Sequence, residues 1–485
     1  MPRPRPEGDT IRPEYVKPFV DEGLGNSSYL VVSEPEKVAA VIDPERDADR
    51  YIDAAKALGA EIVLVLDTHL HADFLSGARE LASVTGATIA ASRRAELGFK
   101  HQPVDEGDEL RVGDLRIRVL FTPGHSPEHV SYLLSPPDGR GPSSLFSGGA
   151  LIVGGAARTD LLGAAQAEPL ARQLYDTMQK KMLSLPNTVE VFPTHGAGSF
   201  CIAGSTSRRT TTIGIERLTN PLARAKTEEE FVHRALTGLP SYPSYFREMR
   251  AINQKGPPIL GGRHPLRPLD PIEVREATAR GVEILDVRPF AEFAPAHIAG
   301  SYGIDLDLGL APWAGWLIPF GTPLALVAPT SEIRERAVRE LLRIGYDELL
   351  GYLRDGLETA EAAGLPIVGF PAITVQELSD RLRSREPPVV LDVRSDSEWA
   401  SGHIPGATHV EAGQVPLNAL PFSSDQPVVA HCAVGARSAA AASILARRGY
   451  RNCMLLQGGV REWASAGFRV ERERRFSEIG TPAVP

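Results

Sequence analysis

The chain has 485 residues, room for about three domains of roughly 150 residues each, and its 42% hydrophobic and 23% charged content is that of an ordinary globular protein. A net charge of −9 without any basic stripe argues against nucleic acid and anionic membrane surfaces as main partners. Three cysteines (Cys201, Cys432, Cys453) cannot build a disulfide framework, the first residues hold no apolar signal core, and no apolar run reaches membrane-spanning length, so a reducing cytoplasm is expected.

From residue 15 to about 200 the chain alternates short β-rich runs (YLVVS, AAVID, EIVLVLDT, RIRVLFT, HVSYLL) with helical stretches such as 47–58 and 169–185. Histidines follow three apolar runs: Thr68-His69-Leu70-His71-Ala72-Asp73-Phe74 after EIVLVLD, then Pro123-Gly124-His125 after RIRVLFT, then Pro193-Thr194-His195 after VEVF. Neutral imidazoles gathered at strand ends are what a metal ion needs. Residues 203–255 are polar and predicted helical, with Glu228–Leu236 the clearest piece, and the Pro/Gly-rich stretch 256–270 reads as a linker.

Beyond it the chain repeats itself. EILDVRPFAEFAPAHIAG at 283–300 answers VVLDVRSDSEWASGHIPG at 389–406, and each copy continues with a strand, a loop, a helix and Gly-Tyr. A period near 105 residues predicts two tandem α/β domains with parallel sheets, not a solenoid. In the second copy the apolar run VVAH leads into Cys432-Ala433-Val434-Gly435-Ala436-Arg437, which opens onto an Ala-rich helix. Loop amides and the helix N-terminus favour a thiolate at Cys432, and Arg437 adds positive charge beside an anionic sulfur donor.

This loop resembles a rhodanese active site, and Asp392-Val393-Arg394 with Gly402-His403-Ile404-Pro405-Gly406 resembles the rhodanese framework. Protein-tyrosine phosphatase loops place five residues between Cys and Arg; the four here suit sulfur better than phosphate. The resemblance implies a sulfurtransferase with Cys432 as nucleophile, Arg437 beside it, and Ala433, Val434, Gly435 and Ala436 holding the persulfide. An offset of 104 carries Tyr450 onto Tyr346, Pro427 onto Pro323 and Cys432 onto Ala328, so the first copy resembles an inactive rhodanese-like domain.

The ordered histidine motifs, with the Gly-Gly segment at Gly148 and Gly149, resemble the metallo-β-lactamase fold. Within that superfamily the chain resembles persulfide dioxygenases, which implies one Fe(II) per chain. The family histidines carry over to His69 and His125, and the family's substrate arginine to Arg158. The family's ligand aspartate falls on Gly149, which leaves three outcomes: a substitute ligand (His71, Asp73 or His195), water in the missing position, or a metal-free domain.

The expected architecture is α/β multidomain: an αββα metallo-β-lactamase-like sandwich with helical extension (1–255), the linker (256–270), an inactive rhodanese-like domain (271–365) and an active one (371–475). The expected function is oxidation of a low-molecular-weight persulfide to sulfite at mononuclear iron, coupled to rhodanese sulfur transfer giving thiosulfate. The partners are then a small thiol persulfide and sulfite, and self-association stays open. Two alternatives remain. One is a glyoxalase II-like thioester hydrolase, disfavoured because Phe74 stands where its second metal needs histidine. The other is a sulfurtransferase with a metal-free, non-catalytic N-terminal domain.

Overall fold

The computed structural model describes residues 16–136, 143–201, 208–262 and 265–472. The N-terminal stretch read for a signal core, residues 263–264 of the linker stretch and the last residues of the 371–475 span lie outside them. Two compact units divide the chain: residues up to 264 with 342–345, and the remainder.

In the first unit, strands β1 (Val16–Asp21), β2 (Asn26–Ser33), β3 (Val38–Ile42), β4 (Glu61–Leu66), β5 (Thr88–Ser92) and β6 (Gln102–Val104) form one sheet in chain order. β7 (Glu109–Val112), β8 (Leu115–Phe121), β9 (Val130–Ser135), β10 (Ser144–Gly148), β11 (Glu190–Pro193) and β12 (Thr211–Thr212) form a second. The alternation along β2 shows how the layers arise. Tyr29 and Val31 pack toward the second sheet with Val119, Tyr132, Phe146 and Phe192, while Leu30 and Val32 face the helices 49–57 and 78–85 through Tyr51 and Leu81. The second sheet's outer face holds Leu145 and Val191 against Leu174, Met178 and Phe231 of further helices. The result is the αββα sandwich, each fully buried large apolar side chain contributing about 1.5–3 kcal/mol.

The predicted strand runs fall on β2, β3, β4, β8 and β9. The stretch predicted helical over 169–185 starts earlier, at Ala164, and passes after Asp176 into a wide π-type turn over Thr177–Met182. The helix Glu228–Leu236 is found as predicted, because Thr227 accepts the N–H of Glu230 and three glutamates occupy its first turn.

The second unit shows the duplication directly. β13 (Pro268–Leu269), β14 (Glu283–Asp286), β16 (Tyr302–Gly303), β17 (Leu324–Val327) and β18 (Leu349–Leu353) make a parallel sheet of order 13-18-17-14-16; β15 (His297–Ile298) pairs separately with β19 (Ile367–Val368). β20 (Ala372–Ile373), β21 (Val389–Asp392), β22 (Thr408–His409), β23 (Val428–His431) and β24 (Cys453–Leu456) repeat that order as 20-24-23-21-22. Each copy carries the same clamp. Arg394 holds Asp392 through 2.6 and 2.9 Å bonds and reaches Gly402 O at 2.8 Å; Arg288 holds Asp286 at the same distances and reaches Ala296 O at 2.8 Å. The copies join through Arg447 on Glu283 (two bonds of 2.8 Å) and the Gly303 N–H on Ser443 Oγ (3.2 Å).

Candidate functional site

His69 follows β4, His125 follows β8, Gly149 follows β10 and His195 follows β11, so one end of the sandwich collects them all. One ring nitrogen each from His69, His125 and His195 lies within 4.8 Å of the others, and all three side chains are buried. Their tautomers follow from their partners. Thr68 Oγ1 donates to Asp43 Oδ2 at 2.8 Å, so it accepts from His69 Nδ1 at 2.8 Å. His125 Nδ1 donates to the Arg158 carbonyl at 2.7 Å. Asn26 gives its amide N–H to Asp73 Oδ2 at 2.8 Å, which turns its carbonyl oxygen to His195 Nδ1 at 3.1 Å. Each imidazole therefore keeps its proton on Nδ1 and presents a bare lone pair at Nε2.

His69 Nε2 and His195 Nε2 face each other at 3.3 Å. Two lone pairs at that distance repel unless a cation lies between them, and two nitrogens about 2.1 Å from a shared ion at roughly 100° are about 3.2 Å apart. Burial, with the charge of neighbouring imidazoles, holds His69 well below its usual range; burial and His195 bring His125 down to about 4. Buried, convergent nitrogens of this kind fit a metal ion.

His71 fits it less well, whereas Asp73, grouped with His71 and His195 within the same reach, keeps an ionised carboxylate beside the three imidazoles. Burial pushes the His71 pKa down, but Asp43 Oδ1 at 3.3 Å raises it overall and favours an imidazolium there. Phe74 stacks on the His71 ring at 4.1 Å, filling space beside it. Burial raises the Asp73 carboxyl, yet His195, His71 and Asn26 outweigh it and bring it to about 2; its Oδ1 has no hydrogen-bond partner. Gly149 offers only its N–H, at 3.0 Å from His129 Nε2. A Cβ there would lie 2.5 Å from His125 Cδ2 and 2.9 Å from Ala157 Cβ, so the pocket has closed on the position where the family carries a carboxylate.

Arg158 departs from its expected substrate role. Its guanidinium is buried and spent on Asp160 (2.6 and 2.7 Å), Phe200 O and Pro240 O, which leaves its carbonyl to orient His125. Sequence reasoning missed two residues here. His129 is locked between Thr122 Oγ1 (2.8 Å) and the Gly149 N–H, and Glu128 accepts the Leu70 N–H (2.9 Å) while paired with Arg250. The spacing His125-x-x-x-His129 was the available signal for the first.

In the second unit Cys432 sits just past β23 and is 2% exposed. The Gly435 N–H donates to Cys432 Sγ at 3.0 Å, and Ser438 Oγ lies 3.6 Å from it. Gly435, with φ of +113°, turns the loop into the helix Ala436–Arg447. Ala433 and Val434 form the exposed tip and Ala436 is buried. Arg437 departs from its expectation: it grips Glu398 through 2.6 and 2.9 Å bonds, and this pairing brings the Glu398 carboxyl down to about 2. Its charge braces the loop through a partner that sequence reasoning missed. Ala328, at the end of β17, occupies the equivalent place in the first copy and has no thiol.

An αββα sandwich with clustered histidines at its strand ends defines a metal-centre protein, here carrying a parallel-sheet domain with a cysteine loop. The chain belongs to the metallo-beta-lactamase superfamily, whose model matches residues 21–203, and the rhodanese-like domain model matches residues 374–466. A probable metallo-hydrolase of Burkholderia pseudomallei is 30% identical over 302 residues, 53% of this chain and 99% of that protein. The persulfide dioxygenase ETHE1 of Homo sapiens is 27% identical over 203 residues, 42% of this chain and 73% of that protein. Among solved structures, a metallo-beta-lactamase from Staphylococcus aureus is similar at a TM-score of 0.64 and 30% identity, covering 70% of this chain and 98% of that one. No helix among the described residues is long and apolar enough to cross a membrane.

Proposed function

We propose that the chain is an enzyme of sulfide and persulfide metabolism, acting in a reducing cytoplasm, in which Cys432 remains a thiol. Its first unit would oxidise a low-molecular-weight persulfide with O₂ and one water to thiol and sulfite, releasing two protons. Its second would transfer sulfane sulfur through Cys432, with sulfite as acceptor and thiosulfate as product. The observation that carries the first half is the convergence of three Nε2 atoms, from His69, His125 and His195, in a chain similar to a persulfide dioxygenase. An Fe(II) ion held by these residues would supply the O₂-activating chemistry. Thr68, Asn26 and the Arg158 carbonyl fix the tautomers, and Phe74 on His71 favours one metal over two, against a thioester hydrolase. Within the second unit, Gly435 and Ser438 hold the sulfur of Cys432.

The test is oxygen uptake by iron-loaded protein given a low-molecular-weight persulfide, together with thiocyanate formation from thiosulfate and cyanide. Uptake is expected in both wild type and Cys432→Ser, with transfer lost in the variant. Absence of uptake after iron loading removes the dioxygenase half; transfer surviving in Cys432→Ser removes the other.

A further inference from the structure

Both copies of the second unit line a cleft of about 660 Å³, within the roughly 300–1,000 Å³ of ordinary small-ligand sites. It lies away from the reactive loop. Pro427 borders it just before β23, whereas Cys432 follows that strand, and Ser443 and Ala446 border it from the far half of the helix Ala436–Arg447. Its lining residues include no aspartate or glutamate, in a chain with 61 acidic and 52 basic residues. They do include Arg381 and Arg451, both exposed and neither ion-paired among the described residues. Both stand at the start of β24: Arg381 Nη1 is 3.5 Å from Met454 Sδ, and Arg451 is two residues before the strand. Glu377, one turn before Arg381, is taken up by the Thr374 N–H at 2.7 Å. A third polar group borders the cleft from the first copy. His297 is 2% exposed and donates its Nδ1–H to the Phe293 carbonyl at 2.9 Å, so its Nε2 keeps a lone pair, which no described residue meets. Burial holds its pKa down, so the ring stays a neutral acceptor. The Cys453 thiol also borders the cleft, but burial pushes it up to about 12, which suits binding there and not sulfur transfer.

We propose that this cleft binds a phosphomonoester with a small planar body, its dianion held by Arg381 and Arg451, a hydroxyl donated to His297 Nε2, and its body against Phe370 and Met454. Two guanidiniums without counter-charge call for two negative charges, and the forked donors of arginine match the oxygens of a phosphate. Both arginines stand beside one strand end, so the two charges belong on one group. A dicarboxylate would carry its second charge away from them, along Val368, Phe370, Pro371 and Pro427, where it meets apolar groups alone. A bare phosphate ion would leave those walls and His297 Nε2 unused. Phe370 leans on the His297 ring at 4.7 Å, which gives a flat ligand an aromatic wall beside the acceptor that fixes its orientation. The site is separate from Cys432 and does not depend on the chemistry assigned to that loop.

The experiment is equilibrium dialysis of the full chain against 4-hydroxyphenyl phosphate near pH 8, where the ester is a dianion because its second pKa is about 6. One ester is expected to bind per chain with a Kd below about 1 mM. The double variant Arg381→Gln, Arg451→Gln is expected to weaken it at least about tenfold, as is Ala446→Trp, which fills the cleft from an exposed helix position. Inorganic phosphate and 4-hydroxybenzoate are each expected to bind at least about tenfold more weakly than the ester, since one lacks the body and the other the second charge. No retention at about 1 mM overturns the proposal, as does binding that both cleft changes leave intact, which puts the anion elsewhere on the chain. Inorganic phosphate binding as tightly as the ester also overturns it, and so does 4-hydroxybenzoate doing so.

Discussion

At the scale of single residues, His195 and Gly149 carry the metal question between them. His195 Nε2 stands 3.3 Å from His69 Nε2 with its Nδ1 proton already given to Asn26, so removing its ring leaves His69 and His125 alone. His195→Ala is therefore expected to weaken metal binding by at least roughly tenfold in a chelator-competition titration, in line with the sensitivity of such sites to ligand count. Restoring the family carboxylate is expected to fail. A Cβ at Gly149 would press to 2.5 Å from the His125 ring, so Gly149→Asp should lower metal affinity, and a gain of iron on the same titration would contradict the closed-pocket geometry. The histidines were legible because each follows an apolar run. The fates of Arg158 and Arg437 were not, since the Phe200 and Pro240 carbonyls and Glu398 that hold them lie far off in sequence and meet them only once the chain has folded.

His431, the residue before the nucleophile, gives the second unit a pH dependence of known sign. It is fully buried, neither ring nitrogen has a hydrogen-bond partner, and burial brings its pKa down to about 4 although Asp392 pulls it up. The unfolded chain therefore binds a proton that the folded chain refuses between pH 6.5 and 4. Its contribution to stability is whole above pH 6.5 and falls as the pH drops toward 4, by up to about 3 kcal/mol. His431→Asn should flatten that slope in denaturant titrations of the second unit's transition across this range; an unchanged slope would mean the imidazole is already protonated in the folded state.

Among elements, the Asp-Val-Arg segment shows why a short motif could be read so directly. In both copies Asp ends a buried strand and Arg, two residues on, folds back on it and reaches the carbonyl of the residue just before the His-Ile pair, Ala296 or Gly402. The motif therefore ties strand to crossover using residues only eight apart or fewer, with no tertiary information needed. Arg394→Met leaves the fully buried Asp392 charge without its partner and is expected to destabilise the second unit by about 3–5 kcal/mol in urea titration. The helices Val375–Leu382 and Asp396–Ser401 were similarly local, each opened by a capping box on Thr374 or Ser395. What local pattern could not supply were the two-residue strands β12, β13, β15, β16, β19, β20 and β22 and the π-type turn at Thr177–Met182. These exist only because a neighbouring strand or a packed face defines them.

Across the whole molecule, the second unit divides labour between two copies of one fold, and their loops show why a single substitution cannot reverse that division. At the end of β17 the sequence runs Ala328-Pro329-Thr330-Ser331-Glu332-Ile333, where after β23 it runs Cys432-Ala433-Val434-Gly435-Ala436-Arg437. Proline at the second place removes an amide N–H that could face a sulfur anion. Serine at the fourth lacks the freedom that lets Gly435 adopt φ of +113° and aim its N–H at Cys432 Sγ. Isoleucine at the sixth forfeits the brace that Arg437 makes with Glu398. A thiol placed at residue 328 would gain a strand end but no amide ring around its persulfide. The double variant Ala328→Cys, Cys432→Ser is accordingly expected to retain no more than about a hundredth of wild-type thiocyanate formation, since lost preorganised donors of this kind cost about 100-fold or more. Thiocyanate release near the wild-type rate would mean that the strand end alone activates the sulfur and that the loop of the second copy is dispensable.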